Sequence, residues 1–473
     1  MRAYSPAWLV LGAAAAVRLW LAAVMPLTDT TEARFGEMAR KMVETGSWLV
    51  PQHDYGVPYL AKPPLAMWAS AAGIALFGHG ELAPRLLILA ATLGFCVLLY
   101  RCARRWLGAA AAVTTLLVLG TSLLFFVSAG TVMTDMLLTV CVGAALLAFF
   151  ERWRGGTPLA EVGLYAAVGL GLLVKGPLAA VLVGVPIVVW SIALGRSREV
   201  WRRFAWLRGG LLALAIAAPW YAAAELRTPG FLRYFIVGEH LQRFLVPAWG
   251  GDLYGRAHDV PQGAALVFFA FAALPWIVLA PLLLWKDRAH VAARFRDQRE
   301  LIVLLLAASA TPLALFAFAG NVIWPYVLPS LPPAALAFAA VLRESAATAS
   351  PRPVLVRVAA AAIAATVVAA LLAAPFIDAH SQRAVVRAAG STPLYYWQRR
   401  YFSADYYSRG RARVIHGSGE IDSELSAHRP FLLVVEESDL VRLPSELTES
   451  LRPATRVGPM VLLEPRYGPA VGS

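Results

Sequence analysis

Charge is what this sequence has least of. Only 15% of its 473 residues are Asp, Glu, Lys or Arg, while 59% are hydrophobic. Soluble globular chains carry about 25% charged residues, so the composition excludes a soluble fold and defines a polytopic α-helical membrane protein. Cysteine is scarce as well. Cys96, Cys102 and Cys141 are odd in number and lie in or beside apolar segments, so neither a disulfide framework nor a metal-binding spacing follows. No internal repeat is visible, which disfavours an inverted-repeat transporter. No small-residue cleavage site follows the first apolar run, 7–25, which contains Arg18, so that run reads as a retained helix rather than a signal peptide. The net charge is +13, yet the arginines sit in short loops between apolar runs. That placement is a positive-inside bias and does not imply nucleic acid.

What is abundant is spanning helix. Apolar runs fall at 7–25, 82–100, 108–127, 132–150, 160–174, 177–195, 209–223, 262–284, 301–319, 322–342 and 353–375, giving about 11–13 transmembrane helices. The run 65–77 is shorter and reads as a helix at the membrane surface. Arginine-rich loops at 101–105, 152–154, 196–208, 286–299 and 343–357 all fall on one side if the N-terminus is cytoplasmic. The opposite, outer face then receives the loop 26–81, the turn near 128–135, Lys175, the loop 224–261, Asn321 and everything after 376. Two units are expected: a transmembrane unit, 1–375, and an outer α/β unit, 376–473. In the second, RARVIHG, FLLVVEES and GPMVLLEP read as strands and 383–390 as a helix.

The outer loops gather ionisable side chains. Phe35, Met38, Ala39 and Met42 share one face of a helix over 30–45, and Glu37, Arg40, Lys41 and Glu44 fill much of the rest, as in a helix lying in the interface. Asp29 and Glu32 have the spacing of a helix N-cap with its reciprocal carboxylate, and this reading stands beside a catalytic one. Lys62 precedes two prolines; it is either a snorkelling lysine or an ammonium held at the depth of a lipid phosphate. Asp135 interrupts an apolar run, which marks either an exposed helix end or a functional carboxylate. Lys175 sits at a turn between spans. The loop 224–261 adds Glu239, His240, Arg243 and His258; two histidines raise a divalent metal without a spacing that supports one, and no other cofactor is implied.

The ordered set TEARFGEMARKM, GSWLVP, KPPL, MTDMLLT, LVKGPLA, APWY, EHLQRF and WPYVLPSLPPAALA resembles the ArnT-like bacterial lipid-linked-sugar glycosyltransferases. These are GT-C proteins related to the protein O-mannosyltransferases, and the resemblance covers about residues 1–345. It implies a GT-C fold in the inner membrane and transfer of a sugar from undecaprenyl phosphate to an acceptor such as lipid A at the periplasmic face. It also implies an acidic catalytic residue in the first outer loop (Glu32 or Asp29), a second carboxylate at Asp135, and Lys62 with Arg34 on the lipid phosphate. Lys175, Glu239, His240, Arg243 and His258 become candidate substrate-binding residues. Two positions depart from the family pattern: Thr31 stands where an Asp precedes the Glu, and Ala61 where a Glu precedes Lys-Pro-Pro. A lipid or sugar transporter is the alternative.

Overall fold

The structure is a computed structural model and describes residues 6–246, 249–255, 260–319, 321–342 and 351–466. Among these, eight helices are long and apolar enough to cross a membrane. Ala264–Ala272 and Trp276–Lys286 form a ninth candidate, bent by 81° at a break that ends in Pro275. Ala109–Gly120 and Pro177–Ala193 are apolar but shorter. The predicted span 108–127 is thus two pieces, because its helix stops at Gly120 and resumes over Leu123–Ser128. The two breaks satisfy each other. The Leu123 N–H donates to the Leu274 carbonyl at 3.0 Å, and the Trp276 indole donates to the Thr121 hydroxyl at 3.1 Å. Backbone freed inside a bilayer needs such partners.

Burial ranks the helices. In Thr134–Trp153, 78% of the most apolar stretch is buried inside the protein, against 17% in Pro353–Ala379. The former carries Asp135 in its first turn. The latter packs on the first span, Pro6–Val24, whose Ala7, Ala14 and Ala22 turn inward while Trp8, Leu19 and Trp20 turn out. Small residues inward and large ones outward are the pattern of helices packing in lipid.

The segments that alternation assigns to one face do meet. Arg85 at the start of its span reaches Glu32, Lys62 reaches Glu239, Asp135 reaches Lys175, and Asp29 reaches Ser403 of the C-terminal part. At the other end the arginine-rich loops are tied together by Arg105–Glu151, Arg152–Glu161, Arg196–Glu300 and Arg352–Asp287.

The helix Thr31–Thr45 corrects one expectation. Its apolar face is buried as predicted, but Glu37, Arg40 and Lys41 are buried too. The helix does not lie with its charged face open: Phe402–Ser408 of the C-terminal part covers it, with Tyr406 joining the same apolar cluster as Phe35 and Met42. Beyond the last span comes a five-stranded sheet in the order Arg413–Ile415, Leu394–Trp397, Leu432–Glu436, Met460–Pro465, Leu451–Val457. The first three strands are parallel and the last two antiparallel to their neighbours. Leu432 through Val435 are all buried, which requires apolar cover on both sheet faces.

Candidate active site

Lys62 is placed by its flanks. The Leu60 N–H donates to the Tyr254 hydroxyl at 3.0 Å, that hydroxyl donates to the Pro58 carbonyl at 2.8 Å, and Pro63 and Pro64 forbid a helix until Leu65. The ammonium does not snorkel. It pairs with Glu239 at 2.7 Å, with its side chain 18% exposed.

Glu239 and His240 come from a π-helical stretch, Arg233–Gln242. Its five-residue repeat brings residue 234 beside 239 and 235 beside 240. Accordingly the Tyr234 hydroxyl donates to Glu239 at 3.2 Å, and His240 Nδ1 lies 2.8 Å from the Phe235 carbonyl. Such π turns recur at functional sites. Arg243 pairs with Glu239 at 3.1 Å and with Asp252 at 3.3 Å. The neighbouring cations outweigh burial and hold the Glu239 carboxyl below the usual range.

The second half of the cluster is Lys175 with Asp135, 2.6 Å apart and both buried. Asp135 is therefore neither exposed nor at a free helix end. The Lys175 ammonium also stands over the Tyr326 ring, 3.9 Å from its centre. Tyr326 lies within electrostatic reach of Lys62, Asp135, Arg243 and Glu239. Gly176 has φ +65°, and a Cβ there would stand 2.6 Å from the Phe235 ring and 3.2 Å from His240. Only glycine lets the 175–177 turn touch the π helix. His240 Nε2 is 3.2 Å from the Lys175 carbonyl, so both ring nitrogens face backbone oxygens rather than a metal position. Burial lowers the His240 pKa. Among the described residues no three His, Cys, Asp or Glu side chains converge as metal ligands; His258 lies outside the described residues.

Arg34 joins this cluster indirectly. Its Nη1 donates to the Tyr254 carbonyl at 3.0 Å, while its buried Nε has no partner. A Cβ on Gly255 would lie 3.9 Å from both Arg34 Nη1 and Asp252.

Asp29 and Glu32 are not a capping pair. Thr30 occupies the N-cap and no side chain caps the helix. The Asp29 carboxylate accepts from the Ser403 N–H at 3.2 Å and from the Ser403 hydroxyl. Burial, against those hydrogen bonds, raises its pKa. Glu32 takes two hydrogen bonds from Arg85, at 2.8 and 2.5 Å, and one from the Val132 N–H at 3.1 Å. Burial pushes the Glu32 carboxyl up, but Arg85 outweighs it and the net shift is downward. Arg85 also donates to the carbonyls of Ala22, Met25 and Pro26, so it staples the first loop to the first span. Sequence reasoning passed over Arg85 and Tyr326 and gave Arg18, noted in the first span, no role in the site. An arginine inside an apolar run was the available signal for the two arginines. Asp29, Glu32, Arg18 and Arg85 line a cavity of about 900 Å³ between the first and last spans.

These helices, with an ionic site gathered at one end beneath a small α/β unit, define a polytopic membrane protein. Residues 61–222 match the family described as dolichyl-phosphate-mannose-protein mannosyltransferase. The chain is 30% and 31% identical to the undecaprenyl phosphate-alpha-4-amino-4-deoxy-L-arabinose arabinosyl transferases of Edwardsiella ictaluri and Aeromonas hydrophila. Those matches cover 66% and 67% of this chain but only 55% and 56% of the relatives. The crystal structure of ArnT from Cupriavidus metallidurans bound to undecaprenyl phosphate superposes with TM-score 0.80 at 20% identity, covering 98% of this chain and 99% of that one. Its apo form gives 0.77 at 21% identity, covering 97% of each. The chain thus has the fold of ArnT, spans little more than half the length of the curated relatives it matches, and is a multi-pass inner-membrane protein.

Proposed function

We propose that the chain is a glycosyltransferase that moves a sugar from a polyprenyl phosphate, undecaprenyl phosphate by analogy with its relatives, to lipid A or another acceptor at the periplasmic face. The observation that carries this reading is the convergence of Lys62, Arg243, Lys175 and Arg34 around fewer carboxylates, next to a cavity lined by Asp29 and Glu32. The leaving group is a phosphate monoester, which departs without a proton, so the paired acid and base of a glycosidase are not required. Cations near the phosphate offset its growing charge, each good donor contributing about 2–4 kcal/mol. Lys62 and Arg243 supply the first charges, Lys175 and Arg34 stand behind them, and Asp135 holds Lys175 in place. Glu239 and His240 position the cations.

The acceptor hydroxyl needs one base. Asp29 suits this role better than Glu32, because burial raises its pKa while Arg85 weakens Glu32 as a base. Glu32 fixes the first loop through Arg85. The C-terminal α/β unit, 376–473, closes the site through Ser403. The arginine-rich loops argue for a cytoplasmic opposite face. Equilibrium binding of undecaprenyl phosphate to Lys62→Ala tests the reading: affinity equal to wild type would remove Lys62 from the site.

A further inference from the structure

One connection at the arginine-rich end of the bundle is itself a helix. Arg288–Asp297 lies between Trp276–Lys286, the second half of the bent candidate span, and the spanning helix Arg299–Ala317. A short helix between two spans rests at the membrane surface. None of its residues is buried, yet its inner side is defined. Val291 packs on the cluster of Ile302, Ala340 and Val341, and Arg294 Nε donates to the Ala340 carbonyl at 3.4 Å. Arg288, Ala292, Phe295 and Arg296 recur at i, i+4, i+7 and i+8, so they share one face, and all four are exposed. Trp285, just before the helix, is 73% exposed, and Arg299, just after it, is exposed too. Asp297 is the one carboxylate within the helix, and nine residues on from Arg288 it stands half a turn away.

The cations of this face are not spent within the protein. Elsewhere at the same end Arg105, Arg152, Arg196 and Arg352 each pair with a carboxylate. Among the described residues Arg288, Arg296 and Arg299 have no such partner. A second helix, Ser197–Arg203, borders the surface, since Arg196 pairs at 3.5 Å with Glu300, the residue after Arg299. Its Val200 is buried, while Arg198, Trp201 and Arg202 are exposed at i, i+3 and i+4. The Trp201 ring, stacked on Trp206 at 6.3 Å, is 72% exposed. A charge bias that only orients the chain needs basic residues somewhere in the loops. It does not need them unpaired on one helix face with aromatic rings among them.

We propose that this surface binds an anionic phospholipid of the surrounding bilayer. Arg288, Arg296 and Arg299 hold its phosphate oxygens, and Trp285 and Phe295 lie against the first methylenes of its acyl chains. Arg198 and Arg202 extend the basic surface. A zwitterionic phospholipid brings a cation of its own beside the phosphate and gains less here. A soluble anion leaves the aromatic rings uncovered.

The test is lipid retention by the full chain, released from nanodiscs of phosphatidylglycerol and phosphatidylethanolamine with identical acyl chains and read by native mass spectrometry. Wild type should retain phosphatidylglycerol at least about tenfold better than phosphatidylethanolamine. Arg288→Gln, Arg296→Gln and Arg299→Gln combined should lose most of that preference, each cation near an anionic headgroup being worth about a factor of five. Arg101→Gln, Arg104→Gln and Arg154→Gln combined remove the same charge from other exposed positions at this end and should leave the preference in place. All six side chains are exposed, so both variants should unfold at the wild-type temperature. No preference in wild type, or an equal loss in the two variants, would leave only a general charge bias and overturns the proposal. Displacement of the lipid by excess inorganic phosphate would mark a site for soluble anions and overturns it as well.

Discussion

Two buried ionic clusters lie near each other at the end of this protein that carries the C-terminal sheet, and they are built to different rules. Beneath the C-terminal unit, Arg40, Lys41 and Arg400 meet Glu37, Asp54 and Asp405, with Glu44 at the exposed rim. Arg40 makes a forked pair with Glu37 at 2.6 and 2.8 Å, and Arg400 bridges Asp54 and Asp405 at 3.0 and 2.8 Å. Every cation there has a carboxylate of its own. In the second cluster Lys62, Arg34, Arg243 and Lys175 outnumber Glu239, Asp252 and Asp135; Arg34 is left with an unpartnered Nε, and Lys175 supplements its pair with an aromatic ring. A closed cluster joins two parts of a chain. On the reading proposed above, an open one, short of negative charge, is completed by an anion, and a lipid phosphate has the charge and the acceptor oxygens for it.

The largest effect expected on activity comes from the base. Asp29→Asn should lower turnover by roughly 10² to 10⁴ while leaving donor affinity intact. Since the base works only when deprotonated and burial raises its pKa, the acid limb of the rate should lie above that of an ordinary aspartate, and the rate should climb as pH rises through it. Glu32→Gln should be milder and leave that limb in place; if the two variants exchange phenotypes, Glu32 is the base.

Arg40→Ala should strike the closed cluster instead. Removing one partner of a buried pair costs about 3–5 kcal/mol, so thermal unfolding should shift markedly downward. Donor affinity in the protein that remains folded should hardly change. A smaller effect is expected where the first loop packs on the C-terminal unit. A Cβ on Gly36 would stand 2.5 Å from Leu27 Cδ2 and 3.6 Å from Tyr406, so in Gly36→Ala the Leu27 side chain must shift against a helix-propensity gain of about 1 kcal/mol, and the net change in unfolding free energy should be no more than about 1 kcal/mol. Labelling tests the sidedness of both clusters without perturbing either. Ser418→Cys should react from outside intact cells and Ser197→Cys should not; the reverse would put the site on the cytoplasmic side.

Much of this was legible in the sequence, and the reason is local. Spans follow from apolar length, and the three strands RVI, LLVVE and MVLLEP follow from β-branched and leucine runs. The strand Leu451–Val457 escaped because it contains Pro453 and alternates with exposed arginines at an edge, and Leu394–Trp397 because four residues give no period. Lys62, Asp135 and Lys175 stood out as charges at the ends of apolar runs, and Glu239 and Arg243 as charges of the long loop 224–261. Their pairing did not, since Lys62 and Glu239 are 177 residues apart and Asp135 and Lys175 are 40 apart. The charged face of Thr31–Thr45 misled for the same reason: an amphipathic pattern does not show whether water or another part of the chain covers the polar side.

Binding of undecaprenyl phosphate to Lys62→Ala and Arg40→Ala, each measured beside its unfolding temperature, tests the distinction between the open and closed clusters most directly. Lys62→Ala should lose about 10²-fold or more in affinity, with Lys62→Arg recovering part of it, while Arg40→Ala loses stability and keeps its affinity. Wild-type affinity in Lys62→Ala, or an equal loss of affinity in both variants, would contradict the account.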